Sequence, residues 1–152
     1  MGSDASATIC FGITFDEDHE FPWGIGDAED WWLDVIHGYK PPFILFDEQG
    51  GYLGGKKPST KQIDEYYDHR RAFKEKYPFP VVFVYSGCDE SSSLILTVPS
   101  SMIKVSWDGP EEISNQIFAS VNVEELQKYK AFCKEYLGID AEPKWYLSAY
   151  YG

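Results

Sequence analysis

No lysine or arginine occurs before Lys40. Residues 1–39 carry nine acids and a local charge of −9. Residues 40–76 hold eight basic and six acidic residues (+2), and residues 77–152 hold five and ten (−5), giving −12 over 152 residues. A field of this sign repels phosphate backbones and anionic lipid, which argues against direct nucleic-acid binding and against a membrane partner. It favours a protein with a basic surface, such as a nucleic-acid-binding groove. The competing use of the acids is to keep an aromatic-rich chain in solution.

Other absences narrow the class further. No apolar run approaches the roughly 20 residues that span a bilayer. The start, Met1-Gly2-Ser3-Asp4-Ala5-Ser6, lacks the basic and apolar regions of a secretory signal, so the chain is expected to be made and kept in the cytosol. Cysteine is limited to Cys10, Cys88 and Cys133, widely spaced and without a C-x-x-C pair. That count and spacing argue against a disulfide framework and a zinc site, and predict buried thiols. The sequence calls for no cofactor, no metal and no identifiable catalytic set.

What is abundant is aromatic: 11 Tyr, 10 Phe and 5 Trp, within an apolar fraction of 43% that can fill a core. The length suits a single globular domain over 1–152. Residues 8–15, 81–86, 94–98 and 145–151 read as strands, with a further one at 102–107. The run Phe43–Phe46 and the pair Tyr52-Leu53 read as the arms of a short hairpin about an Asp47–Gly51 turn. A hairpin joins 81–86 to 94–98 through seven or eight polar residues. Three helices are predicted, near 28–37, 59–76 and 122–137. Asp27 caps the first and Gly38 stops it. Ser59 with Gln62 forms a capping box on the second, and Asn122 with Glu125 opens the third, which Gly138 ends. The fold class is therefore α+β, a mixed and mainly antiparallel sheet with about three helices packed on it. The expected core comprises Phe11, Ile13, Leu33, Ile36, Phe73, Val82, Phe83, Leu94, Leu96, Leu126, Phe132 and Leu147.

Candidate chemistry is sparse. Asp16, Glu17, Asp18, His19 and Glu20 form an acidic loop without the glycine-containing calcium-loop pattern. Gly50 to Lys57 ends in Gly54-Gly55-Lys56-Lys57. Its glycine spacing partly matches a phosphate-binding loop, but a lysine stands where Ser or Thr would hold magnesium. Arg70 and Arg71 fit ion pairs with Asp64, Glu65 and Asp68 on their own helix. His37 fits a helix C-terminus, where the dipole favours a cation. Ser86-Gly87-Cys88-Asp89 offers a thiol with no histidine near in sequence.

Three segments, SDASATICFGITFDEDHEFPWG at the start, YPFPVVFVYSGCDESSSLILTVP in the middle and PKWYLSAYYG at the end, together resemble a group of small acidic tailed-bacteriophage proteins. The resemblance spans the chain end to end and carries no functional residue with it. It implies a virus-encoded protein acting in the infected bacterial cytoplasm.

The expectation that combines these readings is an accessory protein that binds and modulates a host protein, a defence or nucleic-acid enzyme among the options. Its predicted contact surface is Asp16, Glu17, Asp18, Glu20, Phe21, Trp23, Asp27, Glu29 and Asp30. Acids there steer association and aromatics supply contact energy. The alternative is binding or hydrolysis of a nucleotide-like small molecule at Gly54, Gly55, Lys56 and Lys57, helped by Arg70 and Arg71.

Overall fold

The computed structural model describes residues 5–16, 18–24, 27–88, 91–106, 110, 112–115, 118, 121–140 and 142–151. It is an α+β protein with, among the described residues, five strands and three helices: β1 (Ala5–Phe15), α1 (Ala28–Asp30, continuing as a π-helix over Trp31–Ile36), α2 (Thr60–Lys76), β2 (Val82–Cys88), β3 (Ser91–Thr97), β4 (Ile103–Ser106), α3 (Val123–Leu137) and β5 (Lys144–Tyr151). The chain divides into two compact units, one formed by 1–22 with 80–152 and the other by 23–79.

In the first unit β1 is the hub. It pairs antiparallel with β5 along one edge, and with β3 and then β4 along the other. β2 pairs antiparallel with β3 and parallel with the end of β5. The pairings β1–β3–β2–β5–β1 thus form a closed circuit, and the sheet curls back on itself. The curl requires a close approach at Gly12, which pairs with Thr97 on one side and Lys144 on the other. A Cβ there would fall on the Leu96 carbonyl, 2.8 Å from its carbon, and 2.9 Å from the Thr97 Cα. Inside the curl Cys10, Val84 and Ile95 pack together with Tyr146.

α3 begins at Asn122, whose side chain accepts from the Glu125 N–H, and ends at Gly138 in the left-handed conformation. Tyr129, Phe132 and Cys133, at helical spacing, are its buried face. The Tyr129 hydroxyl donates to the Leu96 carbonyl at 2.5 Å, which ties the helix to β3. Burial, reinforced by the Cys133 thiol, drives the Tyr129 pKa far up, and burial pushes Cys133 up to about 11. Both groups must therefore stay protonated in the fold, while the unfolded chain releases these protons sooner. Stability should be full below the ordinary thiol pKa of 9.0 and fall as pH rises through about 11. The slope should approach about 1.4 kcal/mol per pH unit for each group. Urea unfolding across that range, with Tyr129→Phe and Cys133→Ala as flattening controls, measures it.

The second unit is built from rings. Ala28, Leu33, Tyr39 and Leu45 are its buried apolar residues. Around them, in tilted contacts, Trp31 meets Trp23, Trp32 meets Phe79, and Phe73 meets both Tyr39 and Tyr77. The Trp32 indole N–H donates to the Tyr77 carbonyl at 3.1 Å. Asp27 caps α1 through the Glu29 N–H, and Ser59 with Gln62 makes a complete capping box on α2.

Several expectations change. Phe43–Phe46 is not a strand: it contributes one isolated bridge, Phe46 to Tyr52. Asp47 draws the chain into a turn by accepting from Gln49 and Gly51, and Leu53–Gly55 closes into a 3₁₀ turn, so no ladder propagates. The hairpin of β2 and β3 is tighter than expected. Its pairing runs to Cys88 with Ser91, so the serines belong to the strand. Leu147, expected in the core, is 77% exposed, because its neighbours Tyr146 and Ser148 take the inner face of β5. Leu33, Leu96 and Phe132 are buried, and the other expected core residues are half-buried. His37 does stand at the end of the first helix, but its surroundings disfavour the cation. It stacks on Tyr77 and meets the edge of Trp32, and burial lowers its pKa. The expected strand residue Trp107 lies outside the described residues.

Candidate functional site

The acidic loop leaves the end of β1. Phe15 is buried, and beyond it Asp16, Asp18 and Glu20 are exposed. Glu17 lies outside the described residues. A turn closed by the His19 N–H on the Asp16 carbonyl (3.1 Å) reverses the chain. The reversal gathers the rings: His19 lies 4.7 Å from Phe15 and 4.6 Å from Phe21, and Phe15 lies 5.1 Å from Phe21. Phe21 is thus half-buried in a ring cluster, and the carboxylates are left outside it. Among the described residues no ion pair engages Asp16, Asp18 or Glu20.

The remaining predicted contact residues belong to the second unit and have other work. Asp27 caps α1. Glu29 pairs with Lys74, and Asp30 with Arg70. Arg70 also reaches Asp34 at 3.1 Å, and its guanidinium sits 4.9 Å over the Tyr39 ring. Burial opposes its charge, yet Asp34 and Asp30 more than offset this and raise its pKa. Trp23 is half-buried against Trp31 and Phe79. Only Arg71 makes the expected within-helix pair, with Asp68 at 2.7 Å; Arg70 instead joins α2 to α1. Arg70→Met keeps the apolar stem and removes the charge. It should lose about 1–2 kcal/mol in urea unfolding at low salt, and less as salt rises. An unchanged midpoint at low salt would show that the bridge contributes nothing.

These pairs sharpen the charge distribution. Residues 23–79 hold ten acids and eight bases, a net −2, whereas the sheet unit holds fifteen acids and five bases, a net −10. The unbalanced charge therefore belongs to the sheet unit.

The Gly50–Lys57 turn is poorly arranged to cradle an anion. The Gly51 N–H is taken by Asp47 at 2.9 Å, and the Gly55 N–H by the Tyr52 carbonyl at 2.9 Å. The Asp47 carboxylate adds repulsion beside them. The amide at the start of α2 is spent on its own cap, Gln62 N–H to Ser59 Oγ at 3.3 Å. Gly54 and Gly55 have positive φ and Lys56 and Lys57 are exposed. Arg70 stands eleven residues past the cap, about 16 Å along the helix axis. Arg70 and Arg71 are thus not brought to the Lys56–Lys57 end.

Cys10 and Cys133 are buried and free, with thiol pKa values raised by desolvation, so neither is poised as a nucleophile. The Cys88 side chain and Asp89 lie outside the described residues. Among the described residues no group of three His, Cys, Asp or Glu is placed to hold a metal, and no helix is long and apolar enough to cross a membrane.

A feature absent from the sequence reading is a groove of about 400 Å³ in the sheet unit, where Ser6, Thr8, Lys104 and Tyr150 meet part of β2. These residues come from three strands up to 144 positions apart, and only the register unites them. No protein-family model, no curated protein and no solved structure matches this chain.

Proposed function

We propose that this chain is a phage-encoded accessory protein that acts in the host cytoplasm by binding a host protein with a basic surface, such as a defence or nucleic-acid enzyme. The observation that carries the reading is the loop after β1. Three carboxylates, Asp16, Asp18 and Glu20, stand exposed on a ring cluster, with no cation paired to them among the described residues. They sit on a unit of net charge −10. Like charges left unpaired oppose folding slightly, so a return for that cost is expected in recognition. A negative field also disfavours nucleic acid and anionic lipid as direct partners. The contact surface contracts toward the loop, because Asp27, Glu29 and Asp30 already serve the helix pair of the second unit. The nucleotide reading at Gly54–Lys57 has less support, because four amides of the Gly50–Lys57 turn are already bonded.

The test is affinity capture from host lysate with the wild type and with Asp16→Asn/Asp18→Asn/Glu20→Gln. A stoichiometric basic partner retained by the wild type and lost by the variant supports the reading. A partner held equally by both proteins removes the loop from it. The variant itself should be as stable as the wild type or slightly more so, within about 0.5 kcal/mol in urea unfolding.

A further inference from the structure

The groove of the sheet unit has a composition unlike the rest of that unit. β1 places Ser6 and Thr8 on one face, two residues apart. Thr8 pairs with Lys104 of β4 and with Ser148 of β5, and Ser6 pairs with Ser106 and Tyr150. Ser6, Thr8, Tyr150 and Lys104 thus line one groove, which sets hydroxyls and one ammonium group together. Val82, Val84 and Met102 supply an apolar wall. Thr8 is 7% exposed, Ser6 and Tyr150 are half-buried, and Lys104 is exposed. In a unit with fifteen acids and five bases, the described residues lining this groove include a single charged group, Lys104, and no carboxylate. Among the described residues no ion pair engages Lys104.

From this juxtaposition we propose that the groove binds a small organic monoanion, its acidic head on Lys104 with Thr8 and Ser6 as hydrogen-bonding neighbours, and its apolar body along Val82, Val84 and Met102. The volume is within the range of small-molecule sites. The surrounding negative charge selects against dianions and polyanions, while the local lysine selects against cations. The apolar wall distinguishes an amphipathic acid from a bare inorganic ion. The site is independent of the acidic loop, and its occupation does not require the partner proposed above.

Hexanoate is the monoanionic probe, and hexyl phosphate, largely a dianion at neutral pH, tests the charge selection. Hexylammonium controls for charge, and acetate and inorganic phosphate control for the apolar body. Titrations followed by amide chemical shifts should show saturable changes at Thr8, Val84 and Lys104 with hexanoate. Lys104→Gln should weaken that binding about tenfold or more. Val84→Ala should weaken hexanoate while leaving acetate as weak as before. Hexyl phosphate should bind more weakly than hexanoate, and tighter binding of it would contradict the selection against dianions. Equal binding of hexylammonium, unchanged affinity in Lys104→Gln with the fold intact, or no saturable shift with either anion would overturn the proposal.

Discussion

Gly12→Ala is expected to cost about 3 kcal/mol or more and to loosen the junction of β1 with β3. The added methyl meets backbone rather than a movable side chain: the Leu96 carbonyl and, at 2.9 Å, the Thr97 Cα. Gly12 is held on both edges, by Thr97 of β3 and Lys144 of β5, so β1 has no free direction in which to withdraw. Relief requires separating β1 from β3, which opens the strand circuit. Val98, whose N–H donates to the Phe11 carbonyl at 2.9 Å just beyond this point, should then exchange its amide faster. Thr14→Ala, two residues along the same strand at an exposed position, should stay within about 0.5 kcal/mol. Urea unfolding of the two variants measures the contrast, and a Gly12→Ala loss under about 1 kcal/mol would mean that the strands separate without cost.

Phe132→Ala should cost about 3–5 kcal/mol. The ring is 2% exposed on the buried face of α3, between Tyr129 and Cys133 in sequence, with Tyr136 a turn later at 5.4 Å. Truncation removes the largest hydrocarbon from that face and leaves a cavity that a helix tethered through Tyr129 to Leu96 cannot readily collapse. Val123→Ala makes the comparison within one helix: Val123 continues the same apolar pattern, yet it is 68% exposed and its loss should be small. A Phe132→Ala loss under about 1 kcal/mol would place that face of α3 in solvent.

The contrast between Phe132 and Val123 shows what the sequence can and cannot convey. Helices were legible because caps and spacing are local: Asp27, Ser59 with Gln62, Asn122 and Gly138 all act where expected. The widening of α1 into a π-helix was not, since nothing in Trp31-Trp32-Leu33-Asp34-Val35-Ile36 departs from an ordinary helical stripe. Strands were legible as runs, but alternation in β1 and β5 misleads: the more apolar rows, Ala7, Ile9 and Phe11 in β1 and Trp145 and Leu147 in β5, are half-buried or exposed, while Thr8, Cys10 and Ser148 are buried. The hairpin expected at Phe43–Leu53 is reduced to one bridge, Phe46 to Tyr52, about the expected Asp47–Gly51 turn. Asp47 fixes that turn by accepting from two of its amides, and the 3₁₀ turn at Leu53–Gly55 ends the pairing. At the candidate site, the acids were visible as a run, but their partners were not. The pairing of Arg70 with Asp30 and Asp34 spans up to 40 positions and, with Glu29 on Lys74 and Asp27 on its cap, takes three of the seven expected acids from that surface. The Lys104 groove had no sequence signal at all, because it exists only through register.

The central claim is that Asp16, Asp18 and Glu20 steer association with a basic host protein, and the rate of that association measured against ionic strength tests it most directly. With the captured partner in hand, the account predicts that the wild-type association rate falls steeply between about 0.02 and about 0.3 M salt. It predicts that Asp16→Asn/Asp18→Asn/Glu20→Gln associates more slowly at low salt, by about tenfold, and converges with the wild type at high salt, the dissociation rates differing little. Superimposable wild-type and variant rates at every salt concentration would contradict it, and the loop would then be a solubilising surface.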